Sequence, residues 1–169
     1  YASEKQKQSL LDYDDLLLYW HVMTADTELA REIGARFDHV LVDEYQDTNV
    51  VQAEILLRLK PDGAGLTVVG DDAQAIYSFR AATVENIRGF PRGFDPPARV
   101  VTLEQNYRST KTILSAANAI IAHNTGRLGK ELWTAGSDGA PIRLYRAYNE
   151  RDEAEFVVGR IQDRVQQGS

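Results

Sequence analysis

Apolar residues recur along this chain at two spacings, and the two alternate. Leu10, Leu11, Leu17, Leu18 and Val22 return at helical intervals over residues 3–24, where Asp12, Asp14 or Asp15 can cap a helix start. A second helix is expected over 27–36. Val40-Leu41-Val42 is a short β-branched-rich run, the pattern of a strand over 39–43 buried on both faces. Thr48 or Asn49 can cap a helix over 50–60 that turns Val51, Ile55, Leu56 and Leu59 inward, and Pro61-Asp62-Gly63 ends it. Leu66–Gly70 reads as the next buried strand, followed by a helical stretch at 73–79 and a helix near 83–90. Pro91, Gly93, Pro96 and Pro97 mark a loop, and Arg99–Leu103 reads as a third strand. Ser109 or Thr110 then caps a helix to 123, with Ile113, Leu114, Ala117, Ile120 and Ile121 as its buried stripe. Residues 124–140 are loop-like, and a strand at 142–146 and an amphipathic helix at 150–166 begin something new. This alternation predicts an α/β fold with a mostly parallel sheet flanked by helices.

Composition narrows the picture modestly. The chain has 169 residues, enough for one domain with a core or for one domain and part of another. Hydrophobic and charged contents of 43% and 26% are those of an ordinary globular protein. A net charge of −6 gives no global basic field, so nucleic-acid binding would need a local groove. The absence of cysteine excludes disulfides and thiolate metal sites and fits a reducing compartment, so a cytoplasmic setting is expected. His21, His39 and His123 show no metal-ligand spacing. No signal peptide or transmembrane-length run is present, and no membrane partner is expected. The first residue is Tyr1 rather than Met, and the chain reads as an internal piece of a longer protein.

Each of the first three predicted strands runs into a polar cluster. Asp43 and Glu44 follow the first, at the carboxyl end where open α/β sheets bind ligands. There the first carboxylate can hold Mg²⁺ and a neighbouring Glu can orient or deprotonate water. Taken alone, the pair reads equally well as the solvated end of a strand. The second cluster runs from Gly70 to Arg80. In it Gln74 can donate to a phosphate oxygen or to a lytic water. Tyr77, Phe79 and Arg80 place aromatic faces and a cation together, as in the stacking platforms that grip single-stranded nucleic acid. The bland reading makes Ile76 and Phe79 core and Tyr77 a half-buried packing residue. The third cluster, Glu104–Thr110, carries Tyr107, which can stack on a base, and Arg108, which can reach a transferring phosphoryl group. Alternatively Arg108 is a surface residue beside an N-cap serine.

Together the three clusters resemble a known family. Val-Asp-Glu-Tyr-Gln-Asp-Thr-Asn (42–49), Val-Gly-Asp-Asp-Ala-Gln-Ala-Ile-Tyr-Ser-Phe-Arg-Ala-Ala (69–82) and Leu-Glu-Gln-Asn-Tyr-Arg-Ser-Thr (103–110) resemble motifs II, III and IV of the UvrD/Rep/PcrA DNA helicases of superfamily 1, in order and spacing. Leu11–Leu17, Ala116-Ala117-Asn118 and Glu131-Leu132-Trp133-Thr134 are similar to the family as well. The resemblance implies part of a RecA-like P-loop NTPase motor. It divides the chain into a helical lead-in (1–37), the later part of a first motor domain (38–123), a loop (124–140) and the opening strand and helix of a second (141–169). It implies ATP and Mg²⁺ as ligands, with single-stranded DNA, single-strand–duplex junctions and the remainder of the helicase chain as partners. By position, Asp43 resembles the Mg²⁺ carboxylate, Glu44 the water-activating residue and Gln74 the γ-phosphate sensor. Tyr107 resembles the adenine-stacking residue and Arg108 a γ-phosphate-contacting arginine. Tyr77, Phe79 and Arg80 resemble DNA-side or coupling residues, while Gln46 and Asp47 resemble links between the motifs. Phe79 stands where Trp is more usual and Ala75 where Ser is common, so the grip on DNA is expected to differ.

The chain carries no Gly-x-x-x-x-Gly-Lys-Ser/Thr phosphate loop, since Gly129-Lys130 is followed by Glu131 and lacks the earlier glycine. The family's motif V and motif VI arginine are also missing. The expectation is a piece of an ATP-dependent 3′–5′ DNA helicase, acting in repair or replication, that is inactive by itself. Two other readings stand beside it: a two-metal nuclease built on Asp43, Glu44, Asp71 and Asp72, and a non-catalytic interaction module derived from an ATPase fold.

Overall fold

Asp12 interrupts the first helical stretch. In the computed structural model, which describes residues 1–124 and 126–168, α1 spans Ala2–Gln8 and α2 spans Tyr13–Met23. The single helix expected over 3–24 is therefore two. Ser9 turns left-handed after α1, and the Asp12 side chain accepts the Asp15 N–H while Asp15 accepts that of Asp12. This capping box starts a new helix there. Asp26 caps α3 (Thr27–Gly34), and Asn49, in a second capping box with Gln52, starts α4 (Val50–Leu59). α4 packs on α2 and α3. Its Glu54 lies 2.7 Å from His21 Nε2, and Arg58 donates to the His21 carbonyl at 2.8 Å. Ile55 and Leu59 are buried, as the helical spacing predicts, with Val51 and Leu56 partly covered.

β1 (Val40–Val42) and β2 (Leu66–Val68) pair in parallel with Val40 opposite Leu66 and Val42 opposite Val68. Val42 and Val68 pack against Tyr45, Ala53 and Ile87, with Leu56, Val84 and Phe90 around them. Alternation sends Leu41 to the other face, where it is exposed. The strands are covered on one face only, not on both as their apolar runs predict. Two further expected strands do not form. Residues 99–103 and 142–146 carry no ladder, and Val100, Val101, Leu103, Ile142 and Leu144 are exposed. A strand exists through the partner that takes its N–H and C=O groups, and neither segment has one among the described residues. The mostly parallel sheet is thus a parallel pair.

The segment expected to be helical at 73–79 is instead two short 3-10 turns, at Asp72–Gln74 and Ser78–Arg80, and α5 (Glu85–Gly89) follows. α6 covers Lys111–Ile121, but only Leu114 of its expected stripe is buried, while Ile113, Ala117 and Ile120 are exposed. α7 runs Glu150–Gln166, with Asn149 as its cap. The chain divides into two compact units. One comprises Tyr1–Glu104 with Ile120–Glu131, and the other comprises Gln105–Ala119 with the described residues from Leu132 onward. No helix among the described residues is long and apolar enough to cross a membrane.

Candidate active site

The chain leaves β1 into an unusual backbone. Glu44 sits at φ 51°, ψ 40°, the left-handed region that non-glycine residues avoid. Such a residue costs about 1–3 kcal/mol and persists where its surroundings over-determine it. Here they do: the Glu44 N–H donates to Asp43 Oδ1 at 2.9 Å, and the Tyr45 N–H donates to the Val69 carbonyl at 2.9 Å. Tyr45 is 1% exposed, packs edge-on against Phe90 at 5.3 Å, and has its phenol pushed above its ordinary pKa by burial. The apolar anchor is therefore Tyr45, and the turn it pins throws Asp43 and Glu44 out to solvent.

Gln46, also buried, joins the first cluster to the second. Its Nε2 donates to Glu44 Oε2 at 2.7 Å, and its Oε1 accepts the Asp71 N–H at 3.0 Å. Gly70 makes room for it. A Cβ at Gly70 would stand 2.5 Å from Gln46 Oε1 and 2.7 Å from Ile87 Cδ1. The glycine serves this close approach. Gly70→Ala is expected to lower stability by about 1–3 kcal/mol through overpacking, measured as a shift in the denaturant midpoint of the full-length protein. An unchanged midpoint would mean that the amide can move aside freely. The clusters meet again where Thr83 N–H donates to the Thr48 carbonyl at 3.2 Å and Ala82 pairs with Asn49. Asp47 buries an Oδ1 with no hydrogen-bond partner among the described residues.

In the second cluster Asp71 takes Gln74 Nε2 at 3.0 Å and Lys130 Nζ at 2.8 Å on the same oxygen, Oδ2, and the Ala73 N–H on the other. Burial raises its carboxyl pKa, but Lys130, Gln74 and the Ala73 N–H outweigh burial and hold it below the ordinary value. Asp72 is buried, with Arg88 Nε at 3.4 Å and the Leu128 N–H at 2.9 Å. Lys130 was invisible as a site residue, because its partner is remote in sequence and its Gly-Lys setting fits no phosphate loop.

Beyond Gln74 the aromatics do not enter the core. Phe79 is 75% exposed, Ile76 is exposed as well, and Arg80 lies over both rings, 5.4 Å from the Tyr77 centroid and 5.5 Å from that of Phe79. The bland packing reading is thereby corrected for Ile76 and Phe79, whereas Tyr77, 38% exposed with its ring 5.6 Å from that of Phe79, is half-buried as that reading had it. Ala81 closes this turn at φ 60°, ψ 15°. Ala81→Gly is expected to raise stability by about 0.5 kcal/mol, because relief of left-handed strain exceeds the added unfolded-state freedom. A lowered denaturant midpoint of the full-length protein would contradict this.

From Gln105 on, the third cluster lies in the second unit. Asn106 Oδ1 accepts the N–H groups of Arg108 and Ser109 at 2.9 and 2.7 Å, fixing the turn. Tyr107 is 86% exposed, its hydroxyl donating to Gln105 Oε1 at 2.9 Å. Arg108 is exposed and its guanidinium makes no ion pair among the described residues. The same unit ties Asn106 N–H to the Trp133 carbonyl at 2.7 Å, and Asn118 both donates to the Leu132 carbonyl and accepts its N–H.

Chemically, Asp43 offers a carboxylate whose only hydrogen-bond partner among the described residues is the Glu44 N–H, and Glu44 keeps one oxygen free of Gln46. Asp71 and Asp72 are already taken by Lys130 and Arg88. No group of three or more His, Cys, Asp or Glu side chains gathers as a metal cage among the described residues. A two-metal centre is poorly served here, whereas one Mg²⁺ suits the site, because that ion needs only one or two carboxylates beside substrate phosphates and water.

Two family models match the chain: the UvrD/REP helicase N-terminal domain over residues 1–95 and the UvrD-like helicase C-terminal domain over 101–169. The chain is similar to DNA helicase II of Escherichia coli, 49% identical over 162 residues, covering 95% of this chain and 22% of that protein. It is similar to the ATP-dependent DNA helicase UvrD1 of Mycobacterium tuberculosis, 47% identical over 177 residues, covering 100% of this chain and 23% of that one. With the ATP-dependent DNA helicase PcrA of Staphylococcus aureus it shares 41% identity over 169 residues, 99% of this chain and 23% of the relative. The chain thus spans under a quarter of the length of these relatives, at 22–23%.

Proposed function

The chain belongs to the UvrD/REP helicase family, and from that premise we propose that it is part of an ATP-dependent motor that moves 3′ to 5′ on single-stranded DNA and opens duplexes at single-strand–duplex junctions, in repair or replication. The observation that carries this reading is the Gln46 bridge. One buried amide holds Glu44 by its carboxylate and the Asp71 loop by its backbone. A carboxylate suited to activating water and a loop suited to sensing phosphate are thus joined through one buried side chain.

In this mechanism Asp43 would hold Mg²⁺, and the bound ion would supply positive charge against the phosphates. Glu44, with one oxygen held by Gln46 and the other free, orients the attacking water and takes its proton. Gln74 waits on Asp71 and leaves it for the γ-phosphate. Because Gln74 and the Tyr77–Phe79–Arg80 platform share one short run of turns, that departure shifts the surface on which bases stack. Gln46 and Asp47 carry the shift between clusters, and the orphaned Asp47 oxygen fits a residue that gains a partner in another state of the cycle. Tyr107, with an open ring face, stacks on adenine, and Arg108 meets charge developing on the γ-phosphate.

The fold reading goes with this. The parallel pair belongs to a RecA-like sheet in a first motor domain preceded by a helical lead-in over 1–37; the second family model, which begins at residue 101, and the unit that begins at Gln105 support a second motor domain that opens near there rather than at 141 and that carries the third cluster. The exposed apolar residues of 99–103 and 142–146, like the uncovered Leu41, support strands whose neighbours lie elsewhere in a longer chain. The phosphate loop lies there too, the remainder of the helicase chain is the first partner, and the setting is cytoplasmic. The test is ATP turnover and strand displacement with a 3′-tailed duplex. The full-length protein is expected to do both and the 169-residue chain neither. Robust DNA-stimulated turnover by the short chain would overturn the division of the site.

A further inference from the structure

Two residues that the mechanism leaves idle grip the Asp71-Asp72 loop. The Leu128 N–H donates to Asp72 Oδ2 at 2.9 Å, and Lys130 Nζ sits 2.8 Å from Asp71 Oδ2. They alternate along an irregular stretch, so one strap meets both acids. The Lys130–Asp71 pair is largely withdrawn from solvent, with side-chain exposures of 21% and 18%. What gives it consequence is the atom involved, since Asp71 Oδ2 is also the acceptor of Gln74 Nε2 at 3.0 Å.

We propose that Lys130 is a positioning residue for Gln74: by sharing Asp71 Oδ2 it balances that carboxylate, so that Gln74 can leave it for the nucleotide at low cost. This rests on the reading of Gln74 as the γ-phosphate sensor. An amide bonded to a carboxylate that has no cation makes a charge-assisted hydrogen bond, about twice as strong as a neutral one. A half-buried carboxylate also resists losing its last side-chain donor, because an unsatisfied charge is costly away from water. With Lys130 in place both penalties are smaller when Gln74 departs. Without it, Gln74 becomes the principal side-chain donor to Asp71 and is held back.

The test is steady-state ATP hydrolysis by the full-length protein on single-stranded DNA. Lys130→Ala is expected to lower kcat about tenfold, the scale of one charge-assisted hydrogen bond, with KM for ATP within about twofold. Lys130→Arg should restore most of the rate, while Lys130→Gln, which keeps a donor but no charge, should behave like Ala. Should Lys130→Ala fail to fold, the contrast between Gln and Arg carries the same test. In an Asp71→Asn background, Lys130→Ala should add no further loss, because the carboxylate it balances is gone. Wild-type kcat in both Lys130→Ala and Lys130→Gln, or an equal loss with and without the Asp71 carboxylate, would overturn the proposal. Those failures leave the motor reading intact, whereas a wild-type protein that does not hydrolyse ATP in this assay overturns the motor reading itself.

Discussion

Glu44→Gln in the full-length protein is expected to cut DNA-stimulated ATP turnover by about 10²–10⁴-fold, the range for removing a general base, while nucleotide and DNA binding persist. The swap is nearly isosteric. The left-handed turn should survive, because it is held by Asp43 Oδ1 and by the Tyr45 N–H to Val69. Gln46 Nε2 can still donate to the amide oxygen now at position 44. Loss of nucleotide binding together with turnover would instead make Glu44 a structural residue of the strand end, and retained turnover would remove it from the chemistry.

How much of this was legible in the sequence depended on how local the cause was. β1 and β2 were readable because each is a short apolar run followed by a turn, and the covered face of their pair lies within the chain. Residues 99–103 and 142–146 carry the same pattern, yet a strand is made by its neighbour, and periodicity says nothing about whether the neighbour is present. The break at residues 9–12 was half legible. Asp12 was visible as a cap, but Leu10 and Leu11 kept the helical spacing alive across it. In the candidate site, Asp43, Glu44 and Gln74 stood out because they follow strands. The left-handed backbone at Glu44 had no glycine or asparagine to announce it. The Lys130–Asp71 and Arg88–Asp72 pairs join remote parts of the chain, and their charges look like any others on paper. Gly70 was legible as a glycine but not as the space for Gln46.

Arg108→Ala should be comparably severe, lowering kcat about 10³-fold, the lower end for an arginine that meets a transferring phosphoryl group. The structure holds the backbone of this residue and leaves its head group uncommitted: Asn106 fixes the turn at two N–H groups, while the guanidinium has no ion-pair partner among the described residues. Arg108→Lys should fail to rescue, because a point charge on a flexible stem cannot reproduce the planar fork. DNA affinity without nucleotide should change little. A loss confined to DNA binding, with turnover at saturating DNA intact, would move Arg108 to the DNA side.

Asp43, Glu44 and Gln74 are expected to form one wall of an ATP site whose phosphate loop lies elsewhere in the protein. The most direct measurement is a structure of the full-length protein with Mg²⁺, a non-hydrolysable ATP analogue and single-stranded DNA. The account predicts Asp43 on the metal, Glu44 beside the water nearest the terminal phosphate, and Gln74 moved from Asp71 to that phosphate with Lys130 still on Asp71. Nucleotide bound away from the carboxyl end of β1, with Gln74 unmoved on Asp71, would contradict it.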